Sequence, residues 1–194
     1  MTQIDIQKFC AREDDDRKHI QKPHKHGEYV YATNGHILAR FRDAEAGQHW
    51  EDKFMDKVQK LHAKSLGRAS LKWKRDIIKL PPAIECSYCD GEGKLADCDD
   101  CNGNGNFEHG KHYYECKECN GAGRMNPPEI CHSCSGTGKD GSQRVKVGVS
   151  HIARRYAELI LALPNLEVAP NLDDKAAIPF RFDGGDGILM PLMK

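Results

Sequence analysis

The spacing of hydrophobic positions changes along the 194-residue chain, and each change marks a different kind of element. Ile4 to Arg17 reads as the start of a strand and a short helix, with Ile6 and Phe9 three residues apart. The run Asp14-Asp15-Asp16 is placed to cap or begin that helix, because carboxylates favour a helix N-terminus. Pro23 ends the region. From Gly27 to Phe41 the pattern becomes strand-like, in Tyr29-Val30-Tyr31-Ala32 and in His36-Ile37-Leu38-Ala39-Arg40-Phe41. Asn34-Gly35 between them is a two-residue turn signal, so the segment predicts a β-hairpin. Over residues 48–82 the period is helical: Trp50, Phe54, Val58 and Leu61 recur at three or four residues, and Lys53, Lys57, Lys60 and Lys64 occupy the other face. Pro81-Pro82 closes this basic helical connector. After residue 143, Val145-Lys146-Val147-Gly148-Val149 alternates as a strand. His151 to Leu163 then predicts a helix with Ile152, Tyr156, Leu159, Ile160 and Leu163 on one face. Three short strands follow at Leu166-Glu167-Val168, Ile178–Phe182 and Gly187–Met190, with Asp183-Gly184-Gly185-Asp186 as a turn.

Residues 83–142 have no such periodicity. They are rich in Gly, Asp and Asn and poor in apolar side chains, so hydrophobic burial alone cannot fold them and a metal must supply the missing stability. The segment contains one motif four times: Cys86-Ser-Tyr-Cys89-Asp-Gly91-Glu-Gly93, Cys98-Asp-Asp-Cys101-Asn-Gly103-Asn-Gly105, Cys116-Lys-Glu-Cys119-Asn-Gly121-Ala-Gly123 and Cys131-His-Ser-Cys134-Ser-Gly136-Thr-Gly138. Two cysteines separated by two residues place both thiolates on one metal, and two such knuckles complete a tetrahedral shell. The glycines let the chain turn sharply with φ > 0 and aim backbone N–H groups at sulfur.

The remaining composition narrows the chemistry. The N-terminal residues lack the basic-then-apolar pattern of a signal peptide, and no apolar run approaches the ~18–20 residues needed to span a bilayer. Both features lead us to expect a cytoplasmic protein without a membrane partner, with reduced thiols. Disulfides then do not account for the cysteines. Iron–sulfur ligation is open to eight paired cysteines, but two structural zinc ions fit the spacing better. His132, His109 and His112 read as solvent-facing spacers. Cys10 stands outside the motifs and reads as a small core residue.

Formal net charge is zero, from 29 basic and 29 acidic residues, but the charge is uneven. Residues 51–79 carry nine Lys/Arg against four Asp/Glu, whereas residues 85–140 carry five against eleven. Eight thiolates and two zinc ions add roughly −4 to the second segment.

The four repeats resemble the cysteine-rich domain of the DnaJ-type co-chaperones. The resemblance implies that the first and fourth repeats share one zinc, held by Cys86, Cys89, Cys131 and Cys134. It implies that the inner repeats share the second, held by Cys98, Cys101, Cys116 and Cys119, with a zinc-capped hairpin between them. It covers about 55 residues. The His-Pro-Asp signature of that family's J domain does not occur in the chain, and its substrate-binding β domains have no counterpart.

The flanks carry a second resemblance. Tyr31-Ala32-Thr33-Asn34-Gly35-His36-Ile37-Leu38-Ala39 looks like the Ala-Thr-Asp-Gly-His-Arg-Leu-Ala hairpin of the bacterial sliding clamp, the beta subunit of the replicative polymerase. Asn34 and Ile37 depart from that pattern. Asp16-Arg17 sits about where clamps have an Asp-x-Arg helix, and the ending Leu189-Met190-Pro191-Leu192-Met193-Lys194 is similar to a Val-Met-Pro-Met-Arg-Leu strand. The resemblance implies an α+β fold: one clamp-like domain of two βαβββ halves, residues 1–47 and 143–194. The basic helical connector of residues 48–82 and a zinc-stapled lobe of residues 83–142 would interrupt it. Clamp-like edges would also permit homo-oligomers.

No catalytic constellation is visible: there is no G-x-S-x-G, phosphate loop or H-E-x-x-H, and zinc held by four cysteines has no open position. The leading expectation is therefore a non-enzymatic accessory factor of a phage or other mobile element that binds a replication protein or DNA. Lys53, Lys57, Lys60, Lys64, Arg68, Lys72, Lys74 and Arg75 are the candidate phosphate contacts. A solvated helix face is the plain alternative for that charge run. Two other functions are open: a chaperone-like module holding unfolded polypeptide, and a thiol–disulfide oxidoreductase using the CxxC pairs.

Overall fold

The computed structural model describes residues 4–42, 44, 52–67, 71–170 and 173–193. In chain order the strands are β1 (His24–His26), β2 (Tyr29–Thr33), β3 (Ile37–Arg42), β4 (Lys94–Asp97), β5 (Asn106–His109), β6 (His112–Glu115), β7 (Arg124–Ile130), β8 (Arg144–Val147), β9 (Ser150–Ala153), β10 (Glu167–Val168), β11 (Ile178–Phe182) and β12 (Gly185–Leu189). The helices are α1 (Asp52–Leu66) and α2 (Arg154–Leu161). The chain forms two compact units, one of residues 1–81 with 144–194 and one of residues 82–143.

The first unit is built on an antiparallel six-stranded sheet in the order β1-β2-β3-β12-β11-β10. Two three-stranded meanders, one from each end of the chain, join through β3 and β12, where Leu38 pairs with Ile188. The mixture of helices and antiparallel sheet is α+β. Alternation along the strands assigns the two faces. Ile37, Ala39 and Phe41 of β3, with Ile178, Phe180 and Phe182 of β11, enter the main core with Phe9, Val145, Ile152 and Ile160. Leu38 and Ile188 point the other way, onto a smaller cluster with Tyr31 and with Met55 and Val58 of α1. Phe180 and Phe182 lie across the glycines opposite them, Gly187 and Gly185. A Cβ at Gly187 would come 2.4 Å from the Phe180 ring. The absent side chain is what lets the aromatic ring close over the strand.

Several elements differ from the sequence-based expectation. Among the described residues no α-helix precedes β1; two 3-10 turns, Ile6–Phe9 and Lys18–Ile20, stand there instead. The reason is local. The Asp15 carboxylate accepts hydrogen bonds from the Arg17 backbone N–H at 2.8 Å and from its guanidinium at 3.0 and 2.8 Å, which competes with helix formation. Among the described residues the first half thus shows no βα entry of the expected kind, whereas the second half runs β9-α2-β10-β11-β12. The expected helix from His151 begins later, because Ser150 to Ala153 pair with β8 around a turn in which Gly148 has φ of 63°. The β2–β3 turn sits one residue along from Asn34-Gly35: the Asn34 N–H donates to the Ile37 carbonyl and the Asn34 side chain accepts from the N–H groups of His36 and Ile37. Asp186 is not a turn residue; it pairs with Arg40 within the β12–β3 ladder.

The connector segment carries α1, whose Lys, Met, Gln, Leu and Ala content favours a helix. Its buried stripe is Met55, Val58, His62 and Ser65. The expected stripe is offset from this one: Val58 belongs to both, Phe54 is half-buried, Leu61 faces solvent, and Trp50 lies outside the described residues. Beyond the helix, Lys74 bridges to Val168 at the edge of the sheet.

The second unit closes on itself. Glu85 bridges to Lys139, the Asp140 N–H donates to Ile84, and the Gln143 side chain donates to the Pro82 carbonyl. Its two small sheets, β4–β7 and β5–β6, flank buried clusters made of cysteine. No helix among the described residues is long and apolar enough to cross a membrane.

Candidate metal centres and a basic-rimmed groove

Each Cys-x-x-Cys-x-Gly-x-Gly repeat folds as a knuckle, and the knuckles meet in pairs. Cys86, Cys89, Cys131 and Cys134 form one buried group; Cys98, Cys101, Cys116 and Cys119 form the other. Sulfur–sulfur distances are 4.0 Å for Cys86–Cys131, 3.7 Å for Cys89–Cys134, 3.8 Å for Cys98–Cys116 and 3.7 Å for Cys101–Cys119. A disulfide needs about 2.05 Å. Tetrahedral zinc with bonds of about 2.3 Å separates its thiolates by about 3.8 Å. Both groups therefore fit a zinc ion, and eight thiolates suit two of them.

The backbone explains why the repeat must be glycine-rich. The residue after each second cysteine (Asp90, Asn102, Asn120 and Ser135) is left-handed, with φ of 47–53°. Three residues further, each final glycine donates its N–H to the second cysteine's sulfur: Gly93 to Cys89 at 3.2 Å, Gly105 to Cys101 at 3.1 Å, Gly123 to Cys119 at 3.2 Å and Gly138 to Cys134 at 3.3 Å. These donors offset thiolate charge. The final glycine has a second duty that spacing alone does not reveal. A Cβ on Gly138 would lie 2.1 Å from the Gly91 carbonyl oxygen, and one on Gly93 would lie 2.4 Å from that of Gly136. Paired knuckles thus cross backbone on backbone. Reciprocal hydrogen bonds tie the first cysteine of each knuckle to the opposite knuckle, as in Cys86 N–H to Gly138 at 2.9 Å and Cys131 N–H to Gly93 at 3.0 Å.

The remaining candidates fall as follows. His109, His112 and His132 are exposed and outside both cysteine groups. Cys10 is buried, and burial pushes its thiol up to about 12, against a smaller opposing hydrogen bond from Thr33. That thiol is unreactive at neutral pH. Lys53, Lys57, Lys60 and Lys64 are exposed along α1 at spacings of three and four, which gathers them on one stripe. Lys72, Lys74 and Arg75 are exposed on the following extended stretch, where Arg75 pairs with Glu167 at 3.3 Å. Arg68 lies outside the described residues.

Two features of the sheet unit escaped sequence reading. One is a charged cluster under α1. Asp186 receives Arg40 through two bonds of 2.7 and 2.9 Å and lies 2.6 Å from His62 Nε2. Burial pushes the Asp186 carboxyl up, but the hydrogen bonds from His62 and Arg40 outweigh it and hold it below the usual carboxylate value. Arg40, a charged residue within the apolar β3 pattern, is the signal from which a partner across the sheet could have been read. The second is a groove of about 310 Å³. Ile20, Phe54, Val58, Leu61, Ile188 and Met190 give it an apolar floor, and Arg17, His19, His36 and Lys57 supply the polar rim, with no carboxylate among the lining residues. Leu61 and Met190 are 44% and 38% exposed, so part of the apolar lining faces water.

Comparison with protein-family models, with curated proteins and with solved structures finds no match. Two buried four-cysteine centres that fit zinc remain the firmest statement about function: this is a zinc-binding protein in its chemistry.

Proposed function

We propose that the protein is a non-enzymatic binding module in which zinc has a structural role and the sheet unit captures a partner protein. The groove is the observation that carries this reading. Apolar floor, exposed Leu61 and Met190 and a nitrogen-rich rim together suit an apolar side chain flanked by Asp or Glu. Thr33, Gly35, His36, Ile37 and Leu38 all line it, and they belong to the stretch that resembles the sliding clamp. That resemblance supports a replication protein as the partner and a phage or other mobile element as the setting. Reduced thiolates at both centres agree with a cytoplasmic site of action.

The test is capture of replication proteins from the host by the full chain and by Leu61→Glu, with zinc content measured in both. We expect the variant to lose the partner while keeping two zinc ions. Equal capture by the variant rejects the groove as the site.

A second reading is direct DNA binding, motivated by the exposed stripe of Lys53, Lys57, Lys60 and Lys64. Four phosphate contacts would give a slope of log affinity on log salt of about −3.6. No binding at low salt removes this reading. A thiol–disulfide oxidoreductase role has less support, because four-thiolate shells are coordinatively closed and the knuckle backbone is built to hold them.

A further inference from the structure

The zinc unit presents its aromatic residues to solvent. Tyr88, Phe107, Tyr113 and Tyr114 are all exposed, and all eight residues of β5 and β6 are exposed on both faces of a two-stranded sheet. The register separates these faces. Phe107 pairs with Tyr114 and His109 with His112, so an aromatic face is formed by those four. Glu108 pairs with Tyr113 and Asn106 with Glu115, so Tyr113, 70% exposed, shares the opposite face with Glu108 across from it and Glu115 two residues along its own strand.

A ring flanked by carboxylates is a receptor for a cation. The ring face attracts a Lys or Arg head group, and the carboxylates complete the pairing. Within a unit of strong negative charge, such a face repels nucleic acid and anionic lipid and draws in basic polypeptide. Each strand also has an outer edge whose backbone groups are not paired within this sheet. An added strand on that edge would present alternate side chains to the two faces. We infer that the β5–β6 hairpin is a docking site for an extended polypeptide segment in which basic and apolar residues alternate. The basic side chains lie against Tyr113, Glu108 and Glu115, and the apolar ones against Phe107 and Tyr114. This surface is separate from the groove of the sheet unit and does not depend on what that groove binds.

The test uses the full zinc-loaded chain and a fluorescein-labelled hexapeptide, Lys-Leu-Lys-Leu-Lys-Leu, followed by anisotropy. A peptide of the same composition in two blocks, Lys-Lys-Lys-Leu-Leu-Leu, is the control. We expect the alternating peptide to bind about tenfold tighter than the blocked one. Tyr113→Ser combined with Glu108→Gln should weaken it about tenfold, while Tyr113→Phe, which keeps the ring, retains it. Zinc content stays at two ions in every variant. Leu61→Glu, in the groove, leaves peptide binding unchanged, so this result and the groove reading stand or fall apart. Equal binding of the two peptides overturns the inference, as does binding that survives the double variant or follows Leu61→Glu. Self-association of the chain abolished by the same double variant also overturns it, because the occupant would then be a second copy.

Discussion

Phe180 and Tyr113 hold the same kind of side chain in opposite circumstances. Phe180 is fully buried in the sheet unit, under α2 and the β8–β9 hairpin, and is packed over Gly187. Tyr113 is 70% exposed, more than the other aromatic residues of the zinc unit. The difference follows from what holds each unit together. In the sheet unit, one face of the six-stranded sheet must bury its aromatic and aliphatic area together with Phe9, Val145, Ile152 and Ile160, so Phe180 and its neighbours on that face are committed to the core. In the zinc unit the buried clusters consist of thiolates, joined only at their margins by Leu95 and Met125. Metal coordination replaces the core, and the aromatic residues are released for contact with something else. The comparison predicts that the two units respond to different insults.

The largest effect separates them outright. Structural zinc in small domains contributes about 10–16 kcal/mol of apparent folding free energy. Stripping zinc with a strong chelator should therefore unfold residues 82–143 while the sheet unit persists. Both tryptophans, Trp50 and Trp73, lie outside the zinc unit, so their fluorescence should hardly change. Amide resonances of the knuckles should meanwhile collapse to unfolded positions. Dispersed knuckle resonances in zinc-free protein would break the comparison.

The mirror-image experiment is Phe180→Ala. Truncating a buried aromatic costs about 3–5 kcal/mol. Urea unfolding followed by tryptophan fluorescence should record that loss, and zinc stoichiometry should stay at two. A variant that loses zinc along with sheet stability would mean that the two units fold as one.

A smaller effect tests the charged cluster within the sheet unit. Asp186 is more acidic folded than unfolded, because His62 and Arg40 outweigh the burial that opposes them. A carboxylate of this kind adds stability above its unfolded pKa of about 3.9, and the contribution disappears as pH falls through the lower folded value. Asp186→Asn should therefore cost about 2–3 kcal/mol at pH 7, somewhat less than a fully buried pair because the side chain is 18% exposed. The urea midpoints of wild type and variant should converge in acid below that value. A constant gap across this range would show that Asp186 acts by shape and not by charge.

What could be read in the sequence depends on how far apart the interacting residues lie. The zinc ligands were legible because metal chemistry imposes a local spacing: Cys-x-x-Cys followed by two glycines names its own function. The β11–β12 hairpin and the existence of α1 were legible for the same reason. The Asp186 cluster was not, since its partners His62 and Arg40 are 124 and 146 residues away. Ile152 fits a helical stripe and a strand alternation equally well, and only its pairing with Val145 decides for the strand. Leu61 fits the apolar period of α1, yet the facing sheet selects Met55 and His62 instead. The clamp-like pattern at Tyr31–Ala39 did predict strands on both sides of a turn, but the turn itself shifted when Asn34 used its side chain to hold the backbone of His36 and Ile37.

The smallest expected effect is the sharpest test of the contrast. Phe107 and Tyr114 pair across the hairpin and are 43% and 55% exposed, away from both cysteine clusters. If zinc alone holds the lobe, replacing both by serine should change the free energy of unfolding by less than about 0.5 kcal/mol, as at an ordinary surface position. Zinc competition with a chromophoric chelator should then give the same affinity as wild type. The pair also contributes cross-strand contact worth roughly 0.2–1 kcal/mol, so a loss at the top of that range is already informative. A cost approaching that of Phe180→Ala would mean that these rings form a hydrophobic core after all. The lobe would then be a small domain stabilised in the same way as its neighbour, and its aromatic surface would lose its claim to be free for a partner.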